Sequence, residues 1–218
     1  MRILLANDGP LDDDPSGQYI LHLAGHLMAA GHRVRCLVLD SQGASNQQFV
    51  QRILCRRGDP EADLPFALPS FRPGPARQSY SQLSDGELAA YREVVRRALD
   101  TEIDAFDPEI LDIQHVWLQG HLALEAGAPY VLTSHGQELP LYHADARFRR
   151  YAVEAAENAR RILVLQPHVA NRLQAAFGDL EGRIFQVRSP LDAPIVQEIE
   201  AVYRNVLTER FGTVHGLD

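Results

Sequence analysis

The chain contains 218 residues, 45% of which are hydrophobic, and it carries a formal net charge of -8 at pH 7. This length and composition suffice for one large or two small domains with a hydrophobic core, and they argue against intrinsic disorder. The negative charge argues against nucleic acid as the main partner, because binding the phosphate backbone requires a basic surface.

The N-terminal segment predicts a β-loop-α-β unit. Residues 2–6 form a continuous apolar run, which is typical of a strand buried on both faces of a parallel sheet. Residues 18–30 repeat apolar side chains at helical spacing and end at Gly31, and residues 33–39 predict the second strand. Met1 leads directly into the first strand without a charged leader, and no apolar run reaches membrane-spanning length, so we expect a soluble cytoplasmic protein.

The loop before the first predicted helix, residues 11–17, is a candidate binding loop. Ser16 and Gly17 place backbone N–H groups at a helix start, where an anion is favoured. Consecutive aspartates at 12–14 oppose a phosphate there, and the alternative is an Asp or Ser N-cap beside a solvated acidic turn. The GxGxxG fingerprint of dinucleotide-binding folds is absent.

Residues 41–83 are the least regular part of the chain. They contain one predicted strand, residues 50–55, followed by a proline-rich extended loop. Long loops in compact domains usually bind a ligand or cover a cleft. The two cysteines, Cys36 and Cys55, lack the spacing of a zinc site or a disulfide framework, which fits a reducing compartment.

The rest of the chain continues the alternation of strands and helices. A capping box at residues 84–87 starts the next helix. The apolar patterns then predict helix 84–103, strand 110–113, helix 116–126, strand 130–133, helix 144–158, strand 161–165, helix 169–177, strand 183–187 and helix 193–211. This alternation predicts an α/β fold with a mainly parallel sheet.

A polar segment, Ser134-His135-Gly136, follows the predicted strand 130–133. In open parallel sheets, ligands bind in the crevice beyond the carboxyl ends of the strands. His135 is therefore a candidate for chemistry. The alternative is a histidine that only satisfies the hydrogen bonds of its own loop.

Four segments of the sequence match one known pattern in the correct order. They are the opening MRILLANDGP with SGQYILHLAGHLMAAGHRVRCLVLD, then DPEILDIQHVWLQGHLAL, GAPYVLTSHG, and ARRILVLQPHVANRLQAAFG with RIFQVRSPLD. Together they resemble the N-terminal domain of the retaining, nucleotide-sugar-dependent glycosyltransferases of family 4, which have the two-domain GT-B fold. The resemblance implies a Rossmann-like three-layer sandwich over residues 1–192, one half of a GT-B fold. A C-terminal crossover-type helix and tail, residues 193–218, would pack on it.

The resemblance also implies roles for individual residues. His135 matches the family histidine that lies beside the donor sugar and hydrogen-bonds it, rather than a metal ligand. Gly17 matches the glycine loop near the donor diphosphate or the acceptor, although this sequence has Ser16-Gly17 in place of paired glycines. His115 falls where the family often has a histidine, either buried or in contact with the acceptor. The donor- and acceptor-binding residues implied in this way are Ser16, Gly17, Gln18, His115, Ser134 and Gly136.

The donor-binding second domain of the family has no counterpart in this sequence. The E-x7-E donor motif is absent, because the second glutamate after Glu198 or Glu200 would fall on Val206 or Thr208. The basic residues that neutralise the leaving diphosphate are not identifiable either, and glycosyl transfer depends on that neutralisation. We therefore expect the isolated chain to be inactive or nearly so.

Two classes of function follow. The first is the N-terminal half of a retaining glycosyltransferase that uses a nucleotide sugar as donor substrate, with no metal or other cofactor, and whose donor half comes from a separate domain or a homodimer. The second is a non-catalytic sugar-binding, acceptor-binding or interaction domain with the same fold. Basic helix faces at residues 92–97 and 147–150 raise membrane docking as a weaker hypothesis, for which solvated arginines are the simpler explanation.

Overall fold

The structure is a computed structural model that describes residues 1–12, 14–42, 48–74, 77–180, 182–187 and 196–212. Its elements in chain order are β1 (Arg2–Asn7), α1 (Pro15–Ala29), β2 (Arg33–Asp40), β3 (Val50–Leu54), β4 (Leu68–Ser70), β5 (Arg77–Ser79), a 3-10 helix (Tyr80–Gln82), α2 (Asp85–Phe106), β6 (Ile110–Gln114), α3 (Leu118–Glu125), β7 (Tyr130–Ser134), α4 (Leu139–Ala144), α5 (Ala146–Asn158), β8 (Ile162–Val164), α6 (Pro167–Phe177), β9 (Ile184–Gln186) and α7 (Val196–Gly212).

One parallel sheet of seven strands organises the molecule. Its strand order is β3-β2-β1-β6-β7-β8-β9, while β4 and β5 form a separate parallel pair. The order reverses at β1, which has β2 on one side and β6 on the other. Loops that leave β1 and β6 therefore diverge and open a crevice at the carboxyl edge of the sheet. The predicted α/β, Rossmann-like fold with a mainly parallel sheet is confirmed.

The sheet is the middle layer of a three-layer sandwich. On β1, Ile3 and Leu5 pack in one core cluster with side chains of α1 and α7. Leu4 and Ala6 point to the other face and pack with side chains of α2, α3, α5 and α6. All residues of β6, β7 and β8 are buried, as expected of strands that are covered on both faces.

Capping side chains set the starts of α1 and α2. Ser84 and Glu87 form the predicted capping box, in which each side chain accepts a hydrogen bond from the backbone of the other residue. Helix α1 begins earlier than predicted, at Pro15, because the Asp14 side chain accepts a hydrogen bond from the backbone N–H of Ser16 and caps the helix there. The predicted binding loop is correspondingly shorter.

Two stretches contain more regular structure than the sequence patterns indicated. The proline-rich loop holds the short strands β4 and β5 and a 3-10 helix. A separate short helix, α4, precedes α5, and Asp145 divides the two because it is extended and its side chain caps α5. Neither stretch has the regular apolar spacing from which longer elements are predicted.

The last helix lies on the same face of the sheet as α1. Ile199, Tyr203 and Val206 of α7 are buried in that core cluster. The predicted domain boundary at residue 192, Asp13 of the acidic loop and the tail from residue 213 lie outside the described residues. Within the described ranges, no helix combines the length and apolar character needed to cross a membrane.

Candidate functional site

The loops after β1, β6 and β7 meet at the carboxyl edge, where the strand order reverses. They carry Asp8, His115 and His135, respectively. His115 Nδ1 lies 3.9 Å from Asp8 Oδ2, and the centroids of the two imidazole rings are 5.2 Å apart. The structure thus brings the two predicted histidines together and adds a buried carboxyl group that the sequence patterns did not single out.

His135 is held on one side by β6 and on the other by α1. Its Nε2 lies 2.8 Å from Oε1 of Gln114, and its ring packs edge-on against Tyr19 with 5.4 Å between centroids. Burial lowers the pKa of His135 to about 4, an effect that Asp14 opposes and Arg72 reinforces. The imidazole is therefore neutral at pH 7, with its hydrogen assigned to Nε2 and Nδ1 left as a hydrogen-bond acceptor.

A buried chain of hydrogen bonds continues from Gln114 to the last helix. Gln114 Nε2 donates to Asp112 Oδ1 over 3.1 Å, and Thr133 Oγ1 donates to the same oxygen over 2.8 Å. Tyr203 Oη, in α7, donates to Asp112 Oδ2 over 2.5 Å. Burial raises the pKa of Asp112 to about 6, against the effect of these donors. Because Gln114 donates to Asp112, it presents its amide oxygen to His135 and selects the imidazole tautomer.

His115 adopts a backbone conformation that is uncommon for residues other than glycine. Its φ is 68°, in the left-handed region, and its side chain is buried with Phe71 4.5 Å away between ring centroids. Neither ring nitrogen has a hydrogen-bond partner among the described residues. Burial, with a smaller contribution from His135, lowers the pKa of His115 well below its ordinary value. The structure therefore places His115 next to His135 as a neutral, buried residue. Backbone strain of this kind is common at functional sites.

Asp8 is the carboxyl group that lies beside His115. Its Oδ1 accepts a hydrogen bond from the Tyr91 hydroxyl of α2 over 2.5 Å, while Oδ2 has no hydrogen-bond partner among the described residues. Burial raises the pKa of Asp8 to about 7, against the effect of the tyrosine hydroxyl. Near neutral pH this carboxyl group is thus divided between its protonated and ionised forms.

The start of α1 is bound to its own preceding loop. The backbone N–H of Ser16 donates to Asp14 Oδ1 over 2.9 Å, and Gln18 Nε2 donates to carbonyl groups of the loop. A Cβ at Gly17 would lie 2.0 Å from the carbonyl oxygen of Pro10. Gly17, which was a candidate for binding through its backbone N–H, lies in the first helical turn, where the preceding loop packs directly against it. The alternative of an Asp N-cap describes what is observed.

Ser134 and Gly136 shape the turn that presents His135. Ser134 Oγ donates to Oε1 of the buried Glu138 over 2.5 Å, and the backbone N–H of Gly136 donates back to Ser134 Oγ over 3.2 Å. Gly136 has a φ of 74°, and a Cβ there would lie 3.2 Å from a methyl group of Val169. Both residues thus lie at the predicted place, with structural contacts that hold the loop.

The sequence did contain a signal for the polar partners that were missed. Asp112 and Gln114 interrupt the apolar run of β6, and a polar side chain in a strand covered on both faces needs a hydrogen-bonding partner. Asp8 directly follows β1 in the same way. Among the described residues, no group of three or more His, Cys, Asp or Glu side chains is arranged to hold a metal ion.

Solved structures of known proteins share this fold. A sucrose-phosphate synthase chain from Thermosynechococcus elongatus is 13% identical with a TM-score of 0.58, and the match covers 94% of this chain and 99% of that one. The apo form of the lipopolysaccharide outer core galactosyltransferase WaaB is 8% identical with a TM-score of 0.54, covering 86% of this chain and 45% of that one. UDP-GlcNAc 2-epimerase from Neisseria meningitidis, bound to UDP-GlcNAc, is 9% identical with a TM-score of 0.54, covering 100% and 54%.

At these identities the structural similarity shows the fold alone. The match covers 48% of a longer sucrose-phosphate synthase chain from the same organism, so this chain spans about half the length of that chain, of WaaB and of the epimerase. A comparison with curated protein sequences found no match. The family model described as Glycosyltransferase Family 4 matches residues 16–193, which include the loops that carry His115 and His135. The chain therefore belongs to glycosyltransferase family 4 and has the fold of that family's N-terminal, GT-B half.

Proposed function

We propose that this domain is the acceptor-side half of a nucleotide-sugar-dependent glycosyltransferase that transfers a glycosyl group with retention. The observation that carries the proposal is the environment of His135. Gln114 holds one ring nitrogen and Tyr19 packs against the ring, at the crevice beyond the carboxyl ends of β1 and β6. A neutral imidazole in this position offers Nδ1 to a hydroxyl group of a sugar.

A nucleotide sugar is the donor substrate that the family and its structural neighbours favour. The Neisseria meningitidis epimerase with this fold is bound to UDP-GlcNAc. In the proposed mechanism, His135 hydrogen-bonds the transferred sugar and holds it in place. The acceptor hydroxyl oxygen forms a bond to the anomeric carbon of this sugar as the bond to the nucleotide diphosphate breaks, and the hydroxyl proton passes to the leaving diphosphate. The role of His135 is that of a hydrogen-bond partner rather than a metal ligand.

Arg72 and Arg172 lie near His135, but the start of α1 does not offer free amides to the leaving diphosphate. In this chain, Asp14 already occupies the N-terminus of α1 and accepts from the backbone N–H of Ser16. A diphosphate at that point would meet a carboxylate instead of free amides, which is electrostatically unfavourable. We infer that a donor-binding domain, on another chain or another segment, supplies the positively charged residues that bind the diphosphate. A second copy of this chain in a homodimer is the alternative source.

The test is reconstitution of the enzyme. The chain is mixed with a candidate donor-binding domain, a nucleotide sugar and an acceptor, and turnover is measured for the wild type, His135→Ala and the control His26→Ala. His26 lies in the last turn of α1, at the opposite edge of the sheet. Loss of a hydrogen bond to the transferred sugar is expected to lower kcat about 10-fold to 100-fold, with little change in Tm. Unchanged kinetics for His135→Ala would remove His135 from the mechanism.

A non-catalytic sugar-binding or acceptor-binding domain is the second candidate. It is favoured because the preceding loop covers the start of α1, where Gly17 packs against the carbonyl oxygen of Pro10, so that a diphosphate has little access to the helix amides. The same reconstitution separates the two functions, because saturable binding of a sugar without turnover supports this second candidate.

Membrane docking has a weaker basis than the sequence suggested. All but one of the arginines on the two basic helix faces pair with acidic side chains nearby: Arg92 with Glu125, Arg96 with Glu93 and Asp100, Arg97 with Glu93, Arg147 with Asp85 and Asp145, and Arg150 with Glu154. Arg149 donates instead to the backbone carbonyl groups of Tyr142 and His143. Pairing of this kind is typical of solvated helix surfaces, so these faces favour solvent over an anionic membrane.

A further inference from the structure

Strand β6 carries an acidic residue on a face that helices cover. The strand alternates its faces: Leu111 and Ile113 pack in the core cluster with α2, α3, α5 and α6, whereas Ile110 packs in the cluster with α1 and α7. The two-residue period of a strand therefore turns Asp112 and Gln114 toward α1 and α7. Both side chains are completely buried there.

Asp112 does not serve the stability of the fold. Burial raises the pKa of its carboxyl group to about 6, although Gln114, Thr133 and Tyr203 all donate hydrogen bonds to it. Because this pKa is raised, ionisation of Asp112 at neutral pH costs more in the folded protein than in the unfolded chain. Residues that break a rule of packing at a cost in stability are expected at functional sites.

The carboxylate of Asp112 determines which way the amide of Gln114 faces. An ionised carboxylate only accepts hydrogen bonds, so the atom of Gln114 that lies 3.1 Å from Asp112 Oδ1 is the amide nitrogen. The amide oxygen is then left for His135 Nε2, at 2.8 Å. If the amide turned round, its oxygen would face the carboxylate, and His135 would carry its hydrogen on Nδ1 and could no longer accept there.

Tyr203 occupies the other oxygen of Asp112. Its hydroxyl group, on α7, donates to Oδ2 over 2.5 Å and so favours the ionised carboxylate. When Asp112 takes up a proton, the hydroxyl oxygen of Tyr203 can accept it from Oδ2, which leaves Oδ1 as an acceptor for Gln114. Without this hydroxyl group, the acceptors for the proton lie on the Oδ1 side, where Gln114 and Thr133 make their contacts.

We propose that Asp112 and Tyr203 are positioning residues for the transfer of the sugar. Through the amide of Gln114, they keep the hydrogen of His135 on Nε2 and keep Nδ1 ready to accept from a sugar hydroxyl group. Both side chains are buried where α7 packs on the sheet, so the last helix acts on the site without reaching it. This inference rests on the proposed function for the sugar contact, whereas the control of the tautomer is a property of this chain alone.

Nitrogen-detected NMR of the isolated chain at pH 7 tests the control of the tautomer. The test variants are Asp112→Asn, whose amide can donate as well as accept, and Tyr203→Phe, which raises the pKa of Asp112 further. The matched control is Tyr130→Phe, which removes another buried hydroxyl group, one that donates to the backbone carbonyl of Ala155 over 2.8 Å. In both test variants, but not in the wild type or the control, His135 is expected to show a second population with its hydrogen on Nδ1.

Two outcomes of the NMR experiment overturn the proposal. In the first, His135 keeps its hydrogen on Nε2 alone in both test variants. In the second, Tyr130→Phe changes the tautomer as much as Tyr203→Phe does, so that the effect follows from the loss of any buried hydroxyl group. Circular dichroism shows whether each variant is folded. If Asp112→Asn does not fold, the comparison of Tyr203→Phe with its control decides.

Turnover in the reconstituted enzyme connects the tautomer to the reaction. In both test variants kcat is expected to fall about 10-fold, the effect of weakening one hydrogen bond to the sugar, while Tyr130→Phe leaves it unchanged. The two proposals fail separately. A changed tautomer in an assembly without turnover removes the glycosyltransferase function and leaves the positioning of His135. Turnover that neither test variant lowers leaves the function and overturns the role of Asp112 and Tyr203 in it.

Discussion

The buried carboxyl group of Asp8 makes stability depend on pH in a way that one substitution removes. Burial raises its pKa from 3.8 to about 7 in the folded state. Between these two values the folded protein binds more protons than the unfolded chain, so the wild type loses stability as the pH rises through this window. Asp8→Asn keeps the shape and the contact with Tyr91 but cannot ionise.

The size of the pH effect on stability follows from the difference between the pKa of Asp8 in the folded and unfolded states. A tenfold change in proton affinity is worth about 1.4 kcal/mol, so full ionisation of Asp8 destabilises the folded state by about 4 kcal/mol. Part of this loss has already occurred at pH 5, because the unfolded carboxyl group is ionised there. The stability of Asp8→Asn relative to the wild type should therefore increase by about 3 kcal/mol between pH 5 and pH 9.

Urea unfolding at a series of pH values measures this difference. The free energy of unfolding is obtained for both proteins at each pH, so that the titration of groups that do not interact with Asp8 cancels in the comparison. Asp104→Asn, which removes an exposed carboxylate from α2, is the control for the loss of one charge. A difference that stays flat, or that decreases as the pH rises, would refute the reasoning and show that Asp8 is ionised in the folded state at low pH.

Three further predictions concern the surroundings of the site. Gly17→Ala should destabilise the protein by roughly 2 kcal/mol or more, because the added Cβ would clash with the backbone of the preceding loop. Gly25→Ala on the same helix has open space around its Cβ and should stabilise the protein by roughly 1 kcal/mol. Thermal or urea unfolding of both variants separates the packing effect from helix propensity, and equal effects would contradict the predicted clash at Gly17. Tyr203→Phe removes a hydrogen-bond donor from the buried Asp112 and should lower the free energy of unfolding by roughly 1–3 kcal/mol. The loss should be larger at pH 8 than at pH 5, because the pKa of Asp112 is about 6 and the donor stabilises its ionised form. A loss that does not depend on pH would contradict this role of Tyr203. Nitrogen-detected NMR should show His135 neutral with its hydrogen on Nε2 at pH 7 and a titration midpoint near 4, and a midpoint above 6 contradicts the assigned environment.

The sequence alone predicted the fold class and the location of His135. Strand and helix periodicity is a local property, because it depends on which side chains within one element face the core. The capping box that starts α2 and the Ser134-His135-Gly136 turn after β7 are local in the same sense. These features were predicted correctly in type and place, and the resemblance to the family was carried by the same segments.

Only the tertiary structure decided which polar groups meet. Tyr91 contacts Asp8 across 83 residues of sequence, and Tyr203 contacts Asp112 across 91. No local pattern specifies such pairs, because they depend on the order of the strands and on the position of distant helices against the sheet. The same is true of Gly17, whose need for glycine comes from the loop folded against it rather than from a ligand. Periodicity shows that a side chain is buried, whereas the partner that makes its burial tolerable is determined by the packing of elements far apart in the chain.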